Sequence, residues 1–434
     1  MSEKISPGDK IRVTYDNETI VGILMPTPTL SENDNLIIKL ENGYNMGIAR
    51  PRVKKTEIVE KYNKLEIEKK EVLLNKNLPT VTILSTGGTI SSKVDYRTGG
   101  VYADYTAEDI VALCPELNNI ANIRAKKVLS LMSEDMLPTD WINITKIIEN
   151  EIKKGTDGIV LTQGTDTMHF TAAALSFFFD EINIPIIITG SQRSIDRGAS
   201  DAYINLICSV NAAAHFDGAE VMTCMHGSTD DNYCLLIRGT KVRKMHTSRR
   251  DAFRPINDIA IAKIFPDNRI EKISRKYTPA NRTKRNIVKT TASFEDKTAL
   301  HYVYPGMDPD VIDYYIKKGI KGIVIAATAL GHVNTCTEKS LIPFVKKAVD
   351  RNIAVFISSQ TLYGKVNPYV YTNLRKLSIE AKAVYLEDMH PETAYIKLGW
   401  VLSQTKEYEK IKEMMLTNYK GEFNETITSD MFLN

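Results

Sequence analysis

Residues Gly158–Phe170 read GIVLTQGTDTMHF, and this stretch decides the fold. Gly158–Leu161 is a short continuous apolar run, the pattern of a strand buried on both faces of a sheet. Met168–Phe179 has helix length. Between them stand Gly164 and the polar triplet Thr165-Asp166-Thr167. A second stretch repeats the design. ILSTGGTISS, Ile83–Ser92, ends the apolar strand Thr80–Ser85 on two glycines flanked by threonines. Both turns then lie at strand carboxyl ends, where open parallel sheets bind their ligands.

Each turn also has an ordinary explanation. Thr and Asp are favoured helix N-caps, and paired glycines suit a tight bend. Neither turn is a phosphate cradle, because no Lys follows the glycines in a P-loop spacing and GxGxxG is absent. Bends do not call for threonines, so Thr86 and Thr89 are both candidates for chemistry.

Working outward, further apolar runs of strand length are Val81–Leu84, Ile184–Thr189, Val221–Met225, Gly322–Ala327 and Ile353–Ser358. They alternate with helix-length segments at Trp141–Lys153, Ser200–His215 and Leu341–Arg351. The alternation predicts an α/β protein with a doubly wound parallel sheet over residues 76–270 and a smaller α/β domain with a terminal tail over 296–434. The basic, apolar-poor stretch around Asp267–Arg285 predicts a linker, placed at residues 271–295. Before all this, short strands at Lys10–Val13, Ile20–Met25, Leu36–Leu40 and Tyr44–Ala49, with Asn42-Gly43 as a hairpin turn, predict a small β-barrel. Barrel and a charged linker occupy residues 1–75.

The composition is that of a globular protein, with 43% hydrophobic and 25% charged residues. A net charge of +3 is too small to indicate a nucleic-acid binder by itself. The five cysteines are scattered without a CxxC pair, so buried free thiols are expected rather than disulfides or zinc. The seven histidines lack metal-site spacing, and no metal is expected. The polar N-terminal residues and the absence of a long apolar run predict a cytoplasmic chain that does not enter a membrane.

TGGTI (Thr86–Ile90) followed by GTDT (Gly164–Thr167) resembles the L-asparaginase/glutaminase amidohydrolases, over roughly residues 79–405. The resemblance makes Thr89 the nucleophile and assigns proton handling to Thr165, Asp166 and a lysine. Lys244, in KMHTSRRDAF (Lys244–Phe253), fits the family spacing, with Lys241 as competitor. On the sequence alone, either threonine could attack first. LSLMSEDML (Leu129–Leu137) resembles the substrate segment, placing Ser133 on the α-carboxylate and Glu134, with Asp166, near the α-amine. Glu134 stands where asparaginases often carry Gln, which leans toward glutamine. Gly88 and Gly164 would bring backbone to the substrate, and Tyr96, in DYRTGGV, resembles the lid tyrosine. Gln163 departs from the family, which often has His there. LGHVN (Leu330–Asn334) resembles the region that completes a neighbouring subunit's site.

A barrel in front of such a core resembles the D-subunit family of archaeal glutamyl-tRNA(Gln) amidotransferases. That resemblance implies a glutaminase feeding ammonia to a kinase/transamidase partner of E-subunit type. The partner, not this chain, would use ATP and Mg. It further implies tRNA(Gln) in the complex, a homodimer core and a heterotetramer. The competing expectations are a free-standing cytoplasmic L-asparaginase and a non-catalytic amino-acid sensor.

Overall fold

The computed structural model describes residues 5–25, 35–40, 45–61, 75–88, 90, 92–94, 101–103, 114–193, 200–281 and 286–432. The Asn42-Gly43 turn lies outside them.

Five strands open the chain: β1 Lys10–Tyr15, β2 Glu18–Met25, β3 Asn35–Lys39, β4 Asn45–Ala49 and β5 Val53–Glu60. They pair antiparallel in the order β4-β3-β2-β1-β5. No ladder joins β4 to β5 among the described residues, so the expected barrel is not closed by hydrogen bonds there. Only Arg50–Arg52 separates these two edge strands in sequence. Three residues reach about 10 Å, whereas a flat sheet would hold its first and fifth strands roughly 19 Å apart. The sheet must therefore curl back on itself. Its concave face packs Ile11, Val13, Leu24, Leu36, Ile38 and Ile48 into a small core.

The second unit is built on β6 Thr80–Gly87, β7 Asn122–Leu131, β8 Gly158–Thr162, β9 Ile186–Thr189, β10 Val221–His226, β11 Cys234–Arg238, β12 Ala262–Ile264 and β13 Ile270–Lys272. Their order is β13-β12-β11-β10-β9-β8-β6-β7. The five strands from β7 to β10 are parallel, and β11, β12 and β13 extend the sheet antiparallel. The parallel sheet is as the apolar runs predict, while its antiparallel edge is an addition. Every residue of β8 is buried, as its unbroken apolar run requires. Helix α1 (Pro138–Lys153) and helix α2 (Met168–Phe178) pack on one face. Helix α3 (Ala202–His215) packs on the other.

The expected linker needs correction at both ends. Ile270–Lys272 is the edge strand β13, and Val288–Thr290 pairs with Phe179–Ile182. Their polarity misled because edge strands bury little.

The last unit carries β14 Thr298–Tyr302, β15 Gly322–Ala327, β16 Ala354–Ser359 and β17 Val384–Tyr385, all parallel and in sequence order. Helices α4 (Asp310–Lys317) and α5 (Ile342–Val349) cover one face. A later helix, α6 (Pro391–Gln404), lies on the other face and against α2 of the preceding unit, where Phe177 stacks on Trp400 with ring centroids 5.7 Å apart. Four of the five cysteines are buried as expected, and Cys336 is exposed. Among the described residues, no helix is long and apolar enough to cross a membrane.

Candidate active site

Three turns meet at the carboxyl ends of β6, β7 and β8, and glycines make the meeting possible. Gly87 and Gly88 both have positive φ, +103° and +77°. A Cβ on Gly88 would sit 2.1 Å from the Gly164 nitrogen, and one on Gly87 would sit 2.7 Å from the Leu131 carbonyl oxygen. A Cβ on Gly164 would lie 2.9 Å from the Cβ of Ser133. Side chains are excluded at the first two positions by φ as well as by space, and at the third by space. The TGG turn, the GTDT turn and the Ser133 turn are therefore locked together.

The hydroxyls divide by role. Thr86 donates to the Thr162 carbonyl at 3.0 Å and is fully buried, so its hydroxyl is spent on the scaffold. Thr167 is at the N-cap of α2 but makes no side-chain cap bond. It donates instead to the Ser133 carbonyl at 2.6 Å, tying two turns together. The simple capping explanation of TDT therefore fails for this threonine.

Thr165 is the hydroxyl with charged company. Lys244 Nζ donates to Thr165 Oγ1 at 2.9 Å and to Asp166 Oδ1 at 2.6 Å. Lys244 arrives on a short ladder in which Val242–Lys244 pairs with Phe253–Pro255. Its side chain is 9% exposed, against 66% for Asp166. An ammonium has only donors, so the Thr165 hydroxyl must point its own proton elsewhere. It points to Gln192 Oε1, 3.4 Å away.

The competitor Lys241 is placed differently. It is buried, and its ammonium pairs with Asp388 at 2.7 Å. Burial pulls its pKa below the usual lysine range, against the pull of Asp388. Its ammonium is therefore committed to the last unit and not to the GTDT turn.

Of the other expected residues, Ser133 is buried against Gly164, and Glu134 is exposed on the same turn. Thr89 and Tyr96 lie outside the described residues. Gln163 is buried, and neither atom of its side-chain amide has a hydrogen-bond partner among the described residues. His169, expected to be a packed or exposed helix residue, is packed: burial first, helped by the neighbouring cations, pushes its pKa down to about 3.

Sequence reasoning missed Gln192, the acceptor for Thr165. It also missed the set that converges on the buried Glu392 behind Lys244. Arg243 donates to Glu392 at 2.9 Å, and Tyr302 and His390 contact the same carboxylate at 3.0 and 3.1 Å. Burial alone would raise the Glu392 pKa, but His390 and Arg243 hold it well below the carboxylate range. The available signal was the cluster of Lys241, Arg243 and Lys244 at the entry to and along one short strand.

Known proteins match the fold and the sequence around this site. The Asparaginase, N-terminal family matches residues 80–278, the Glutaminase/Asparaginase C-terminal domain matches 297–415, and the GatD N-terminal domain matches 5–59. Among solved structures, the thermostable L-asparaginase from Thermococcus kodakarensis superposes with a TM-score of 0.70 at 27% identity, over 80% of this chain and 100% of that one. L-asparaginase I from Vibrio cholerae gives 0.69 at 28% identity, over 80% and 99%. The curated relatives extend across the N-terminal sheet as well. The D-subunit of the glutamyl-tRNA(Gln) amidotransferase from Pyrococcus furiosus is 48% identical over 99% of this chain and 97% of its own length. The corresponding D-subunit from Methanobrevibacter smithii is 44% identical over 99% and 97%. This chain belongs to the D-subunit family of glutamyl-tRNA(Gln) amidotransferases, a glutaminase/asparaginase core preceded by the GatD N-terminal domain.

Proposed function

We propose that this chain hydrolyses L-glutamine within a glutamyl-tRNA(Gln) amidotransferase and supplies the ammonia that converts Glu-tRNA(Gln) to Gln-tRNA(Gln). The observation that carries the reading is the contact of Lys244 with both Thr165 and Asp166, on the sheet edge where Gly88 packs against Gly164. A free hydroxyl is a weak nucleophile and needs a neighbouring base, which Lys244 becomes once one of its ammonium protons has moved to Asp166.

In this reading the Thr89 hydroxyl oxygen attacks the side-chain amide carbon of glutamine. Its proton passes through the Thr165–Lys244–Asp166 group to the leaving nitrogen, the C–N bond breaks, and ammonia departs. Water then cleaves the γ-glutamyl ester on Thr89, and glutamate leaves. Backbone N–H groups near Gly88 and Thr89 hold the oxyanion. Ser133 meets the α-carboxylate, Glu134 and Asp166 meet the α-amine, and Tyr96 orients the nucleophile. No cofactor acts in this chain. The partner is an E-type kinase/transamidase subunit that uses ATP and Mg on tRNA-bound glutamate, in a cytoplasmic heterotetramer around a homodimer core.

The test is ammonia release from L-glutamine and L-asparagine, side by side. Weak release from both by the purified chain is expected, rising for glutamine when the other subunits and Glu-tRNA are added. Fast asparagine hydrolysis by the chain alone would instead mark a free asparaginase, whose structures are matched at 27–28% identity over 80% of this chain. Thr89→Val should abolish turnover, and retained hydrolysis would remove Thr89 as nucleophile.

A further inference from the structure

Behind Thr165 a line of buried polar groups runs through the sheet edge to the surface. Gln192, which accepts the Thr165 hydroxyl, is fixed through its backbone. Its N–H donates to both oxygens of Asp201, at 3.0 and 2.9 Å, and the Arg193 N–H joins at 3.0 Å. Asp201 is fully buried at the start of α3. Asn205, one turn along α3, donates through Nδ2 to the Gly190 carbonyl at 2.9 Å and to Asp201 Oδ2 at 3.0 Å. Asp201 and Asn205 thus clamp the 190–193 turn from one side.

The Asn205 amide can point only one way. Its Nδ2 faces a carbonyl and a carboxylate, both acceptors. Its Oδ1 receives the backbone N–H of His226 at 3.1 Å and the Cys234 thiol at 3.4 Å. The same Oδ1 lies 2.5 Å from His226 Nδ1. The other ring nitrogen, Nε2, lies 3.0 Å from Asp231 Oδ1. An amide oxygen and a carboxylate oxygen both accept, so both ring nitrogens must donate. A neutral imidazole has only one N–H to give.

We propose that His226 is held as a buried imidazolium and is a positioning residue for Thr165, acting through Asn205, Asp201 and Gln192. The proposal rests on the reading of Thr165 as part of the proton-handling group. Asp231 contacts its ring directly from the turn after β10, Arg250 holds Asp231 from the turn after Lys244 at 2.6 Å, and Asp201 stands behind Asn205 on α3. The His226 side chain is fully buried, while Asp231 is 59% exposed. The ring therefore links a surface carboxylate to the hydroxyl beside Lys244. Losing the proton leaves one acceptor facing a bare ring nitrogen and frees Asn205 to move. The 190–193 turn then loses part of its clamp, and Gln192 no longer fixes the direction of the Thr165 hydroxyl.

Two variants test this in the full chain assembled with the other amidotransferase subunits. Asp231→Asn removes a surface carboxylate that favours the imidazolium. It should lower kcat for glutamine hydrolysis about threefold, with KM changed less than about twofold. His226→Gln should reduce kcat roughly tenfold, again with KM nearly unchanged. ¹⁵N NMR of the His226 ring at pH 7 should show both nitrogens protonated. A neutral ring at pH 7, or a parental kcat in both variants, overturns the proposal. Thr165→Val in the same assay separates the failures: normal turnover there would overturn the role of Thr165 and leave the protonation state of His226 standing.

Discussion

Lys241 and Lys244 sit three residues apart, the first in the turn that leads into the short strand Val242–Lys244 and the second at its end, and live in opposite environments. Lys241 is sealed at the junction with the last unit, where it pairs with Asp388. Lys244 reaches across the opposite side to Thr165 and Asp166. Within the strand the cause is the two-residue period of an extended chain, and the turn before it sets Lys241 on the Arg243 side. Lys241 and Arg243 share one side and bond to Asp388 and Glu392, while Val242 and Lys244 share the other and face the first sheet. Two lysines at odd spacing cannot compete for the same turn. One anchors the domain that the other works against.

The sharpest way to break this comparison is to remove each lysine in turn. Lys241→Leu leaves Asp388 buried without its ammonium. It should destabilise the fold by about 3–5 kcal/mol, the usual cost of stranding one partner of a buried ion pair. Turnover per folded molecule should change little. Denaturant unfolding beside active-site-normalised rates measures both. A variant as stable as the parent but inactive would reverse the assignment. Lys244→Leu should do the opposite. Glutamine turnover should fall by about 10² or more, equivalent to about 2.7 kcal/mol in the barrier, with the unfolding midpoint nearly unmoved. Normal turnover in Lys244→Leu would return the role to Lys241.

His169 sharpens the comparison from the side, because its ring lies where the fields of Lys244, Arg243 and Glu392 overlap. Its folded pKa is about 3, against the ordinary 6.5. Between those values the unfolded chain binds a proton that the folded chain refuses. Stability is therefore full above about pH 6.5 and is lost as pH falls. The loss is about 1.4 kcal/mol per pH unit from this group alone. Unfolding free energies measured from pH 7 to 4 should be flatter in His169→Leu than in the parent. Equal slopes would show that the ring is not excluded from protonation.

Much of this architecture is legible in the sequence where burial is two-sided. β8 is buried at every position, so the apolar run Gly158–Leu161 announces a central parallel strand, and the polar turn after it announces the site edge. The short antiparallel strands β11, β12 and β13 carry weaker patterns. Ile270–Lys272 in particular looks like a linker, because an edge strand of three residues has little to bury. The site is legible where glycine and threonine cluster and illegible where single polar residues converge from distant strands. Gln192, Asp201, Asn205 and His226 share no local motif. Only the fold brings them into one line behind Thr165. The choice between the two lysines follows from the family spacing, and its physical reason emerges with the ladder pairing Val242–Lys244 to Phe253–Pro255.

The smallest effect concerns the two threonines that frame the same question in hydroxyls. Thr86 and Thr165 both stand at the ends of central strands, both are buried, and both offer a hydroxyl near the glycine contact. Thr86 gives its proton to a backbone carbonyl, whereas Thr165 accepts from Lys244 and donates to Gln192. Thr86→Val keeps the shape and loses one buried hydrogen bond. The expected cost is about 1 kcal/mol of stability, with kcat within about twofold of the parent. Thr165→Val keeps the shape equally well, yet should lower kcat by about 10² because it breaks the line between Lys244 and Gln192. Parallel kinetics on the two valine variants isolate function from fold, since the same methyl-for-hydroxyl exchange is made twice at one sheet edge. Equal losses of rate would mean that the turns tolerate no change in packing. Unequal losses in the stated order would place the chemistry on the hydroxyl that Lys244 touches.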